Sequence, residues 1–210
     1  MGIDQLNTIV SMAYSTVNTV QNTYKLSKEV RHLNGCLVEC GVGAGAQLMV
    51  MALTDQRVYG FDSFEGIPMA GIYDDQQPGI GAITHDTKAP LKHRLKSSGV
   101  TVHSIQNVRS NFEQAGVCMA KVTLVPGWFS NTLPVYDTGP IKLLRLDGDL
   151  YESTFVCLQY LYEKVVSGGV IIIDDYALPG CAKAVKDYFF KLPELIEVEG
   201  SGGVVYFYKK

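Results

Sequence analysis

The stretch from Ile141 to Tyr176 reads IKLLRLDGDLYESTFVCLQYLYEKVVSGGVIIIDDY. Two apolar runs, Ile141 to Leu146 and Val170 to Ile173, bracket a helical span and a Gly168-Gly169 break. Short runs rich in β-branched residues, joined by a helix, are the pattern of two buried parallel strands. The first run ends in Asp147-Gly148-Asp149 and the second in Asp174-Asp175. In an open parallel sheet the ligand crevice lies outside the carboxyl ends of the strands. If the two strands are neighbours, up to four carboxylates converge there. Clustered carboxylates must take up protons unless a cation sits among them. An oxygen-only cluster suits a hard divalent ion, Mg2+ first and Ca2+ or Mn2+ next. Asp and Gly are also ordinary turn residues, and one such turn would be read that way. Two acidic ends flanking one crossover favour metal or catalytic duty. Consecutive strand residues point to opposite faces, so Asp174 and Asp175 reach one ion together only if the chain turns between them. Arg145, inside a buried-looking strand, needs a partner and reads as structural.

Upstream, residues 36–47 (CLVECGVGAGAQ) read as a first strand, a glycine-rich turn and a helix start. Gly41, Gly43 and Gly45 let the backbone approach a ligand closely, and helix-start amides favour a carboxylate or phosphate. A second strand, Arg57 to Phe61, ends at Asp62-Ser63, with Asp62 21 positions after Gly41. An acidic residue about 20 positions after such a turn holds a ribose hydroxyl in nucleotide-binding βαβ units; a plain strand-end cap is the alternative. Val122 to Val125 is a further strand, after which Trp128 could stack on a base or simply bury itself. The Gly/Pro-punctuated segment 65–84 reads as a lid or binding loop, 88–98 as a surface helix, and 108–116 as another helix. Of His85, His93 and His103, only His85, in that loop, is a candidate for touching substrate. Residues 131–140 form a turn-rich connector, 181–190 an amphipathic helix, and 195–210 a closing hairpin.

At the other end, Ile3, Leu6, Val10, Ala13, Val17, Val20 and Tyr24 are spaced three and four apart, the seam of one amphipathic helix. It could pack on its own domain, close over the site, or pair two copies into a homodimer. Residues 1–34 are thus expected to be a helical arm, and 35–210 the main domain.

The 210 residues are 47% hydrophobic and 19% charged, enough for one α/β domain with a sizeable core. A net charge of −3 gives no electrostatic case for nucleic acid. Five cysteines without CxxC spacing argue against a disulfide framework or zinc site and fit a reducing, cytoplasmic setting. No signal-peptide pattern or membrane-spanning run is read.

Alternating strands and helices finished by a hairpin give a doubly wound, mostly parallel seven-stranded α/β sheet. The ExGxGxG turn, the acidic end of strand two and the late hairpin resemble class I S-adenosylmethionine-dependent methyltransferases. Within that class, LVECGVGAG, VYGFDSFEGIP, PGWFSNTLP, LLRLDGDLYEST and GGVIIIDDY resemble the macrocin O-methyltransferase family, from about residue 36 to the end. The resemblance implies S-adenosylmethionine, Mg2+ and a small-molecule hydroxyl acceptor, most often a sugar. By position it implies Glu39, Gly41 and Gly43 at the methionine end of the cofactor, Asp62 on the ribose, and Ser63 and Trp128 near the adenosine. It implies Asp147, Asp174 and Asp175 as metal ligands, and Asp149 as general base. A NAD-dependent oxidoreductase and a non-catalytic binding protein of the same fold are the alternatives.

Overall fold

The computed structural model describes residues 2–74 and 96–210. Its centre is a seven-stranded sheet in the order β3-β2-β1-β4-β5-β7-β6. The strands are β1 (Cys36–Cys40), β2 (Val58–Asp62), β3 (Val122–Pro126), β4 (Ile141–Leu146), β5 (Val165–Ile173), β6 (Ile196–Glu197) and β7 (Val205–Tyr208). β1 to β5 run parallel; β7 lies antiparallel against β5, and β6 against β7. The two apolar runs of the opening stretch are indeed neighbours, with Leu144 opposite Ile171 and Leu146 opposite Ile173.

The sheet is covered on both faces, and the period of two in its strands sorts residues between two cores. Leu37, Leu143 and Ile172 join one, with Ile9, Val20 and Leu26 from the N-terminal segment. Val38, Leu144 and Ile171 join the other, beneath α6 (Tyr151–Leu161) and α7 (Pro179–Tyr188). Continuous burial along β1 and β4 explains why those strands read as unbroken apolar runs. On the first face, Glu39 lies in register opposite Arg145, so two charged residues sit where the alternation would otherwise put leucines.

Several expectations change. The 3–24 stripe is two helices, α1 (Ile3–Ser11) and α2 (Val17–Glu29), not one. The break comes where Thr16 turns extended and its hydroxyl accepts the Thr19 amide as an N-cap; such side chains favour caps over helix interiors. The Gly168-Gly169 pair is no break before a strand: β5 already runs from Val165 and passes through it with a register shift, Gly168 taking φ +77°. The third helix, α3, is Ala46–Ala52 and follows the glycine turn. The helix expected at 108–116 is α4 (Ile105–Gln114), started earlier by a Ser104/Asn107 capping box. A short α5 (Phe129–Thr132) takes the first residues of the expected 131–140 connector. The helix expected at 181–190 starts two residues sooner, with Pro179 in its first turn. Of the helix expected at 88–98, Ser97 instead bridges to Pro68; its first part, His85, His93 and the second half of the 65–84 loop lie outside the described residues. All five cysteines are free. No helix among the described residues is long and apolar enough to cross a membrane.

Candidate active site

The carboxyl ends of β1, β2, β4 and β5 open onto one cavity of about 270 Å³. Its walls include Gly41 to Ala44, Asp62-Ser63, Trp128, Asp147 to Leu150 and Asp174-Asp175, with residues 12–15 between α1 and α2 at its edge.

The turn after β1 and the turn after β4 touch. Gly41 holds φ +94°, and a Cβ there would fall 1.7 Å from the carbonyl oxygen of Asp147. Only glycine permits that approach. Asp62, at the end of β2, braces the glycine turn from the other side. Its Oδ2 accepts the amides of Val42 (2.7 Å) and Gly43 (3.1 Å), and its Oδ1 accepts that of Phe64 (2.6 Å). Burial pushes the Asp62 carboxyl up, and the three amides pull it back.

The acidic end is built around Arg145, whose side chain is fully buried. Its Nη1 donates to Glu39 Oε1 (3.1 Å) and Asp147 Oδ2 (2.6 Å), and its Nη2 donates to Asp174 Oδ1 (2.5 Å). Strand alternation makes this fork inevitable. Arg145 and Asp147 are two apart in β4 and its end, Glu39 is the cross-strand neighbour, and Asp174 follows two after Ile172, which faces Arg145 in register. The chain turns at Asp174, and Asp175 Oδ2 accepts the Asp149 amide at 2.8 Å. Asp149 itself takes φ +57°, a left-handed conformation that Asp tolerates better than most residues.

Asp147, Asp149 and Asp175 each offer an oxygen within 4.8 Å of the others. Asp174 is not of that group; it is bound to Arg145 and sits beside it. Among the described residues these four acids and Glu39 set five carboxylates against one guanidinium. The consequence is visible in their protonation. Burial, then Asp147 and Asp174, push Asp149 up to about 7. Burial raises Asp174 to about 7 despite Arg145. Asp175 and Glu39 are raised well above the usual carboxylate range, mainly by burial. Arg145, surrounded by acids, is held above its ordinary value although burial opposes it. Glu39 faces Arg145 through Oε1 only; its Oε2 is buried with no hydrogen-bond partner, an expensive state for a carboxylate oxygen.

The cavity gathers ten sequence-predicted residues: Glu39, Gly41, Gly43, Asp62, Ser63, Trp128, Asp147, Asp149, Asp174 and Asp175 all line it, whereas Gly45 is not among its lining residues. His103 does not line it but bonds the hydroxyl of Tyr14 at 2.7 Å. Sequence reasoning missed three contributors. Tyr14 and Ser15 reach the cavity because the N-terminal stripe breaks there, and Ser15 Oγ accepts the amide of Gln47, another lining residue. Asp74 is 5% exposed. Its two oxygens accept the amides of Gly71 (2.8 Å) and Tyr151 (2.8 Å), so it caps α6 from the loop after β2. The Thr16 cap was a readable signal for the break; Asp74 carried none.

The strand order, the glycine turn and the acidic strand ends define a class I methyltransferase fold. The chain belongs to the macrocin O-methyltransferase family: the model described as Macrocin-O-methyltransferase (TylF) matches residues 11–197. Two relatives sharpen this. A Streptomyces olivaceus protein named 8-demethyl-8-(2,3-dimethoxy-alpha-L-rhamnosyl)-tetracenomycin-C 4'-O-methyltransferase is 37% identical over 80% of this chain. A Streptomyces niveus protein named demethyldecarbamoylnovobiocin O-methyltransferase is 39% identical over 80% of this chain. The chain spans 64% of the length of each of these relatives. The solved structure of the O-methyltransferase NovP superposes with a TM-score of 0.75 at 34% identity, covering 93% of this chain and 81% of that one.

Proposed function

We propose that this chain is a Mg2+-dependent O-methyltransferase that moves a methyl group from S-adenosylmethionine to a hydroxyl of a small molecule, a sugar or a glycosylated natural product. The observation that carries the reading is the union, in one cavity, of the glycine turn with a cluster of carboxylates short of positive charge. The residues fit both absent groups. The donor set at the acidic end is all oxygen, as hard divalent ions prefer. The buried, partnerless Glu39 Oε2 suits a cationic amine. The acceptor class rests on the names of the two Streptomyces relatives.

In this reading Glu39 and the glycine turn receive the methionine end of the cofactor. Asp62 braces that turn and keeps lone-pair capacity on Oδ1 for a ribose hydroxyl, since that oxygen accepts one described bond. Ser63 and Trp128 flank the adenosine. Asp147 and Asp175 hold the ion, with Asp174 in support through Arg145; this keeps the three expected acids and assigns them unequal parts. Mg2+ supplies Lewis acidity and direction to the acceptor hydroxyl. Asp149, whose carboxylate receives no hydrogen bond from a described residue, would take the hydroxyl proton as the O–C bond to the sulfonium methyl forms and the C–S bond breaks, its electron pair going to sulfur. The products are a methyl ether and S-adenosylhomocysteine. Alignment of the two reactants could supply much of the acceleration, about 7–11 kcal/mol in principle.

The test is a binding and turnover pair. S-adenosylhomocysteine is expected to raise the melting temperature, and EDTA to abolish methylation of a diol-bearing glycoside. Stabilisation by NAD in place of S-adenosylhomocysteine overturns the cofactor assignment. Turnover that persists in EDTA removes the ion from the mechanism.

A further inference from the structure

We propose that Arg145 biases which divalent ion the acidic site accepts, by holding one oxygen of Asp147 and binding Asp174 beside the site. The inference rests on the metal reading above and goes past it, to a residue that touches no ion.

The hydrogen bonds carry the argument. Asp147 commits Oδ2 to Arg145 Nη1 at 2.6 Å, and Asp174 commits Oδ1 to Nη2 at 2.5 Å. Asp175 commits Oδ2 to the Asp149 amide at 2.8 Å. Each acid therefore keeps one oxygen without a described partner. The oxygen of Asp147 that accepts from the buried guanidinium keeps a lone pair, but it is a poor seat for a cation, because two positive charges would then share one atom in a poorly screened site. Ca2+ takes about 6–8 oxygens at about 2.3–2.6 Å and draws on two-oxygen clasps to reach that number. Mg2+ takes about six oxygens at about 2.0–2.1 Å, one from each carboxylate, and completes its shell with water and substrate oxygens. The fork thus suits the smaller ion. It also fixes the rotamers of Asp147 and Asp174, because the guanidinium is planar, fully buried and anchored on a third side by Glu39.

Lysine cannot reproduce this. A single ammonium keeps the charge but cannot span Asp147 and Asp174 as two separate nitrogens do. In Arg145→Lys the single ammonium is drawn between Asp147 and Asp174, which loosens its hold on the second oxygen of Asp147, the acid of the pair that belongs to the ion-holding group.

The experiment is calorimetric titration of the cofactor-free, EDTA-stripped full chain with Mg2+ and, separately, Ca2+, for the wild type and Arg145→Lys, with circular dichroism to establish that the variant is folded. Outer partners of metal ligands typically change affinity by roughly 10–100-fold. The wild type is expected to bind Mg2+ more tightly than Ca2+. In Arg145→Lys the preference is expected to fall roughly tenfold, mostly through tighter Ca2+. A folded variant with the wild-type ratio overturns the role of Arg145 while leaving the metal site intact. A wild type that binds Ca2+ as tightly as Mg2+ overturns it whether or not the variant folds. A wild type that binds neither ion defeats the metal reading itself, and this inference with it.

Discussion

The carboxylates at two ends of the sheet's strands, β2 on one side and β4 and β5 on the other, meet different fates. Asp62, closing β2, is raised by burial but receives three backbone amides that offset part of that rise. Asp149 and Asp175, beyond β4 and β5, share one backbone amide between them and lie against further acids. The glycine turn itself is braced by its own backbone amides on Asp62. The acidic side is in electrostatic debt that one arginine only partly offsets. A binding wall that is braced by its own backbone can be preformed, whereas a wall of unneutralised acids holds its shape fully only with a cation in it.

The largest expected effect attacks the acidic side. Asp147→Ala should lower the methyl-transfer rate roughly a thousandfold, about 4 kcal/mol of transition-state stabilisation, with the melting temperature of the metal-free protein unchanged or raised. Activity retained within tenfold, read in a steady-state assay, would remove Asp147 from the ion. The second effect is a pH dependence. Asp149 and Asp174 are raised to about 7, above an unfolded value of about 3.9. Between those values the folded chain holds protons that the unfolded chain has lost. The metal-free protein should therefore lose stability as pH rises through about 7. An ion replaces those protons, so stabilisation by Mg2+ should be slight near about pH 5.5. It should reach about 2.7 kcal/mol near about pH 8 at a hundredfold excess over Kd; a thermal-shift series in both conditions reads it. A Mg2+ shift that is flat with pH breaks the comparison.

The braced side should respond differently. Asp62→Ala strands three amides and should cost about 2 kcal/mol in a urea melt, with no change in Mg2+ affinity. A metal-binding defect in that variant would mean that the two walls are not independent. The smallest effect is at the rim. Tyr14→Phe removes one exposed hydrogen bond to His103 and should change stability by less than about 0.5 kcal/mol. Any weakening of S-adenosylhomocysteine binding, read by calorimetry, would then report the connector's place over the glycine turn.

How much of this was legible follows from range. Unbroken apolar runs and acids at strand ends are local patterns, so β1, β2, β4 and β5 and their acidic ends could be read along the chain, while Glu39 and Ser63 were marked by the family resemblance alone. Two local signals were misweighted. The apolar stripe outvoted Thr16, whose cap splits α1 from α2. Gly168-Gly169 suggested an end where β5 absorbs a bulge. The remaining features depend on register. That Arg145 would lie opposite Glu39, and two residues from Asp147 on the same face, follows once β1 is paired with β4. Nothing within β4 itself names the partner strand. Asp74 is harder still: an acid in a long loop says nothing of the helix it will cap 77 positions later.

One contact limits how the cavity can be rebuilt. The α-carbon of Gly41 leaves no room for a side chain before the main chain of Asp147, so the two walls are fitted to each other by backbone rather than by replaceable side chains. Swapping in a glycine loop from a relative would carry the acidic loop with it. If the proposed function holds, cofactor preference and ion chemistry would be inherited as a unit, and variation among relatives should concentrate on the rims, around residues 12–15 and the segment after β2.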